Sequence, residues 1–142
     1  MGKQYTLKIY PAGMSRTAYR VIQISGKETL DRLCSVIISS FDFIVEHLYE
    51  FCMDNRMYSD CSYQSDPEAG APSTKTRIDR VGLAEGQNFS LHYDFGDDWM
   101  FVLHVQKGAS ESMTNTVRVI KEKGHIEQYP DWDDDGYDEE DE

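Results

Sequence analysis

Apolar Tyr5, Leu7 and Ile9 alternate with Thr6, Lys8 and Tyr10, the two-residue period of a half-buried strand that Pro11 and Gly13 bring to an end. Residues 18–24 read as its antiparallel partner, because the connector at 11–16 is short. The period then changes: Leu30, Leu33, Cys34, Val36, Ile37 and Ile38 fall on the buried side of a helix that Thr29 can cap. It should stop near Ser39 and Ser40, where Phe41-Asp42-Phe43 breaks the spacing. Alternation returns at 46–53, with His47, Tyr49, Phe51 and Met53 on one side and Leu48 and Cys52 on the other. Asp54-Asn55 turns the chain into a short strand expected at 56–58. Residues 59–75, rich in Ser, Asp, Pro, Gly and Ala, read as one long surface loop. Ile78, Val81 and Leu83 mark a short element before the turn at 84–88.

The two most strand-like segments, 89–94 and 98–105, flank the stretch Tyr93-Asp94-Phe95-Gly96-Asp97-Asp98-Trp99. A three-residue loop at Phe95-Gly96-Asp97 sets Tyr93 opposite Trp99, Leu91 opposite Phe101 and Phe89 opposite Leu103. Six large apolar side chains then share a face, and a slip of one residue would mix them with Ser90 and His92. On this register His92 and His104 project to solvent, and Gly96 takes the left-handed position such loops need. Residues 116–121 form a last strand candidate.

Length and charge narrow the picture. A chain of 142 residues with 39% apolar content suits a single core. No apolar run approaches the roughly 20 residues of a membrane helix, and the first residues lead straight into a strand pattern without a signal segment, so a cytoplasmic protein with no membrane role is expected. The net charge of -12 is uneven: residues 131–142 hold nine acids and no base, while residues 1–130 carry 17 acids against 14 bases. The sequence divides into a body, 1–130, and an acidic tail, 131–142, for which self-repelling disorder is expected. The body shows no basic stripe, which argues against direct nucleic-acid binding and for a protein partner. Cys34, Cys52 and Cys61 form an odd set without a C-x-x-C pair, which reads as reduced and mostly buried thiols.

Four stretches carry a resemblance: Tyr5-Thr6-Leu7-Lys8-Ile9, Thr29-Leu30-Asp31-Arg32-Leu33, His47-Leu48-Tyr49-Glu50-Phe51 and, above all, Tyr93 to Trp99. In order and spacing they resemble the plasmid pRiA4b ORF-3-like family over about residues 3–130. The resemblance implies an α+β fold, a roll of mostly antiparallel strands with one main helix in a single domain. It implies little about activity, since members are largely uncharacterised and some bear a resolvase-like label as passengers of insertion elements. Many members have His two residues after the motif's Trp, where this chain has Phe101, and a Cys-rich C-terminal segment that this chain lacks. No metal or catalytic role that rests on those residues carries over.

The chemistry legible in the motifs is thin. Asp94-Phe95-Gly96 matches the kinase magnesium tripeptide by letters, without the Gly-rich and catalytic loops a kinase needs. A resolvase needs a nucleophile among arginines, which are scattered here. Asp131, Asp133, Asp135, Gly136 and Glu142 satisfy the EF-hand spacing, but no exiting helix follows and so acidic a segment meets the pattern by composition. Loose cation association or docking onto a basic partner is the remaining expectation for the tail. Three acids crowd the hairpin tip, where Asp94, Asp97 and Asp98 would serve as turn residues or as a site, with Tyr93, Trp99 and His47 beside them as candidate binding residues. The expected function is a non-enzymatic interaction module, with a small metal-binding protein or enzyme using the Asp-rich tip as the alternative. No cofactor, metal site or catalytic residue is assigned, and the oligomeric state stays open.

Overall fold

The computed structural model describes residues 3–44, 47–58, 60–111 and 117–128, with only the backbone for 107–111. The acidic tail lies outside them. The strands are β1 (Lys3–Pro11), β2 (Tyr19–Ser25), β3 (Tyr49–Cys52), β4 (Ser62–Gln64), β5 (Asn88–Tyr93), β6 (Trp99–Glu111) and β7 (Arg118–Lys123), with one helix, α1 (Leu30–Ser40). All strand pairs are antiparallel, in a single sheet of order β4-β3-β5-β6-β1-β2-β7. This is an α+β single-domain fold.

Alternation decides which side chains meet the helix. Leu7 and Ile9 of β1, Ile22 and Ile24 of β2, Phe51 of β3, Phe89, Leu91 and Tyr93 of β5, and Phe101, Leu103 and Val105 of β6 are all buried in one core with Leu30, Leu33, Cys34, Ile37 and Ile38 of α1. The hairpin register is the one the apolar pattern implies: Tyr93 opposite Trp99, Leu91 opposite Phe101 and Phe89 opposite Leu103.

The helix ends are tied by other segments. At the N-terminus the Thr29 hydroxyl accepts from the Arg32 N–H at 3.1 Å, as the capping pattern predicts. The N–H groups of Leu30 and Asp31 donate to the carbonyls of Thr76 and Thr74 at 3.0 and 2.8 Å. The Thr74 and Tyr49 hydroxyls also donate to the Asp31 carboxylate. The stretch at 59–75, read from composition as a loop, thus contains β4, and its Thr74 supplies one of the carbonyls that orphan helix N–H groups require. At the other end buried Arg20 donates from Nε to the Ser40 carbonyl at 2.8 Å and from Nη1 to the carbonyls of Tyr19 and Lys123 at 2.9 and 2.8 Å. Its guanidinium lies 4.2 Å from the centre of the Phe41 ring.

One strand expectation fails. Residues 56–58 are not a strand, because Asn55 and Tyr58 both take left-handed backbone (φ 62° and 54°), which no ladder accommodates. Instead β4 pairs with β3, opposing Phe51 with Tyr63. The segment at 53–58 is left free to fold over the sheet face that turns away from α1.

Candidate functional site

The loop between β5 and β6 is built by its aspartates. Asp94 and Asp98 hold the left-handed conformations (φ 66° and 55°), and the Asp98 N–H closes the loop onto the Asp94 carbonyl at 2.6 Å. Aspartate tolerates this region because its short carboxylate bonds nearby backbone. The Asp94 side chain does so, accepting from the N–H groups of Gly96 and Asp97 at 3.0 and 3.3 Å. Gly96, expected to supply the left-handed residue, is not among the positive-φ positions.

The three acids diverge instead of forming one cluster. Asp94 is buried and lies 3.5 Å from Nε2 of His47, whose ring stands edge-on to Tyr93. Asp97 is exposed at the tip. Asp98 reaches the opposite side of the sheet, where its Oδ1 is 2.6 Å from Nε2 of His92. Tyr93 is fully buried, donates its hydroxyl to the Ile44 carbonyl and accepts from the His47 N–H at 3.3 Å. Trp99 is half-buried at the core's rim, edge-on to Phe43 with ring centroids 4.9 Å apart.

His92 is the principal correction. Expected on a solvated face, it is fully buried, and so is Ser90. Opposite His92 in the β3–β5 ladder stands Glu50, 1% exposed, whose Oε2 lies 2.7 Å from His92 Nδ1. Both imidazole nitrogens thus face carboxylates. The imidazole therefore bridges the two carboxylates, Nδ1 facing Glu50 and Nε2 facing Asp98. The Tyr58 and Phe95 rings pack against it, each with its centroid 4.9 Å away. Glu50 also accepts from the Tyr58 N–H at 2.7 Å and from the Gln64 amide at 2.6 Å, while the Ser90 hydroxyl donates to Asn55. The segment at 53–58 is thereby fastened over β3 and β5. His104, read the same way, pairs with Asn88 at 2.6 Å and stays partly exposed.

Burial alone would raise the Glu50 carboxyl, but its hydrogen bonds with His92, the Tyr58 N–H and Gln64 outweigh burial and hold it below the ordinary range. A depressed folded value stabilises the fold above the unfolded value, near 4.3, and that stabilisation disappears as pH falls through the folded value. Urea midpoints of the wild type should therefore fall more between pH 6 and pH 3 than those of Glu50→Gln. Parallel midpoint profiles for the two proteins would contradict the assignment.

Sequence reasoning missed Glu50, Tyr58 and Phe95. One signal was present, since a carboxylate and an imidazole fall in two aromatic-rich strands at positions that pair.

A family model described as plasmid pRiA4b ORF-3-like protein matches residues 3–139. The chain belongs to that family. No curated protein matches it. Among solved structures it is similar to the crystal structure of a protein of unknown function, MM3350 from Methanosarcina mazei Go1, with a TM-score of 0.68 and 21% identity over 86% of this chain and 70% of that one, which shows a shared fold. In this pRiA4b ORF-3-like chain Phe101, two residues after Trp99, is fully buried between Phe41, Phe43 and Trp99, a place for packing. No helix among the described residues is long and apolar enough to cross a membrane. Nor does any group of three His, Cys, Asp or Glu among them converge as a metal set.

Proposed function

We propose that this pRiA4b ORF-3-like chain is an interaction module that docks a protein partner on the hairpin end of its sheet. The observation that carries the reading is where apolar surface is left open. Five large apolar side chains are exposed among the described residues, and four of them, Ile44, Leu48, Met57 and Tyr58, surround the Asp94–Trp99 loop. Ile44 and Leu48 lend it their carbonyls, to the Tyr93 hydroxyl and the Asp94 N–H. Tyr58 packs on Phe95, with ring centroids 5.7 Å apart. Met57 lines a shallow groove of about 410 Å³ with Ala12, Asp97, Asp98, Trp99 and Met100. Grouped apolar surface with a polar rim marks protein contact sites, and here the rim is acidic. The matching partner is an apolar protein segment flanked by Lys or Arg. A protein that itself binds nucleic acid would fit this description and the mobile-element setting of the family's name.

The alternative, chemistry at Asp94, Asp97, Asp98 and His47, finds less support. The carboxylates point apart, and His92 has both nitrogens engaged and aromatic rings against it, so it offers no free nitrogen to a substrate. Burial first, and then Asp31 nearby, push the Cys34 thiol well above its usual range, away from nucleophilic use.

Leu48→Glu, Met57→Glu and Asp97→Lys should each reduce recovery of a specific partner about tenfold, the scale of losing one interface contact worth roughly 1.4 kcal/mol. Ile120→Glu, on the far strand β7, should not. The measurement is quantitative affinity capture from the native host, with melting temperatures confirming each fold. Equal recovery by all four variants would refute the proposed surface.

A further inference from the structure

The half of the second sheet face that the 53–58 segment leaves open, over β1, β2 and β7, carries charge of one sign, a basic face that pairing assembles from bases far apart in a sequence without a basic stripe. Lys8, Lys121 and Lys123 stand there with Tyr10, Tyr19 and Val21. The register sets Lys8 and Lys121 each opposite Val21, and Lys123 opposite Tyr19. Arg118 joins them, donating to Gln23 at 3.1 Å. The ammonium of Lys8 lies 4.6 Å from the Tyr19 ring centre and 5.7 Å from that of Tyr10, and Lys121 reaches Tyr19 at 5.8 Å. Two cations thus share one ring, and a shallow depression of about 320 Å³ opens between them, lined also by Val21, Gln106 and Ile120. Among the described side chains of β1, β2 and β7, that face has no carboxylate. Glu122, opposite Arg20, turns to the other side and meets it at 3.4 Å. A cation–π contact at the surface is worth only about 0.5–1 kcal/mol and neutralises nothing, so four unbalanced bases remain in a chain with a net charge of -12.

We infer that this basic face is the docking site of the chain's own acidic segment, residues 131–142. Charge complementarity is direct, nine acids and no base against four bases and, among the described side chains of β1, β2 and β7 on that face, no acid. The point of departure fits as well. Gln128 is buried, its amide pairing with the Ile44 backbone, beside Phe43 and hence at the Trp99 end of the sheet. Pro11, opposite Phe101, brings Tyr10 to that same end, and Tyr19 and Lys123 begin and end their strands there. Twelve residues reach roughly 40 Å when extended, more than the radius of a domain this size. A tethered segment acts at millimolar local concentration, whereas a free polyanion must approach against the net charge. Those two terms favour the tail over single-stranded nucleic acid, which the same aromatic and basic groups would otherwise suit.

Zero-length carbodiimide cross-linking of the full-length protein tests this, with unlabelled and ¹⁵N-labelled chains mixed and the links mapped by mass spectrometry. Links within one chain should join acids of 131–142 to Lys8, Lys121 or Lys123 about tenfold more often than to the exposed Lys27 and Lys75, as tethering to a matched site predicts. They should vanish near 1 M salt, where screening acts within about 3 Å. Lys8→Ala/Lys121→Ala should lower the remaining Lys123 links, since the face would have lost half its bases. Links spread evenly over all lysines, links between isotopically different chains, or no links to this face would overturn the inference. The second of those outcomes would assign the face to the tail of another copy.

Discussion

His92→Ala is expected to cost about 3–5 kcal/mol of folding free energy, the usual loss when a buried charged group is left without its partner. Glu50, 1% exposed, would keep its Tyr58 and Gln64 donors but lose the imidazole 2.7 Å away. Asp98 suffers less, because its side chain is 44% exposed and water can replace the imidazole. The damage should therefore concentrate on Glu50. A double-mutant cycle with Glu50→Ala isolates it: the double variant should recover about 2 kcal/mol relative to the sum of the single losses, because no buried carboxylate is then stranded. Local consequences follow from geometry. Tyr58 and Phe95 pack on the lost ring, so the 53–58 segment should open and its amides exchange faster, while those of α1 change little. Urea denaturation with hydrogen exchange reads both effects. Strict additivity in the cycle, or a loss under 1 kcal/mol, would mean that the pairing contributes little.

The second large effect is expected at Arg20. Arg20→Ala removes a side chain, 3% exposed, that holds the carbonyls of Ser40, Tyr19 and Lys123 and covers Phe41. Each carbonyl left without a donor costs about 1–3 kcal/mol when water stays out, and partial wetting of this edge site brings the total to about 3 kcal/mol. Arg20→Lys should restore less than half of it, because an ammonium cannot match the planar fork that meets three acceptors and stacks on a ring. The urea midpoint should fall with an unchanged slope, and exchange should quicken in the last turn of α1 and the C-terminal part of β7. An Arg20→Lys protein as stable as the wild type would reduce the residue's role to its charge.

Both sites share a property that explains why the sequence hid them. Periodicity reports apolar side chains, and it located the helix, its Thr29 cap and the β5–β6 register because those faces are apolar and continuous. Glu50, His92 and Arg20 are buried polar residues and leave no such trace. Alternation assigns the face opposite the core to solvent. That holds for Lys8 and Tyr19, but it fails for His92 because a cover arrives from 53–58, a segment with little pattern of its own. The tip acids were legible as turn residues, yet their divergence depended on which sheet face each could reach. Reading Gly96 as the left-handed residue followed composition, whereas the loop used aspartates that bond their own backbone.

The sequence by itself determined the family, the α+β class, the helix and the hairpin pairing, since each follows from local periodicity or from a contiguous motif. Tertiary structure alone decided that Glu50 and Asp98 clamp His92, that Arg20 ties off the helix, and that one half of the second face is sealed while the other is basic and open. The reason is distance along the chain. These arrangements join residues 42, 20 and 103 positions apart through hydrogen bonds and charge, whose partners no local pattern specifies.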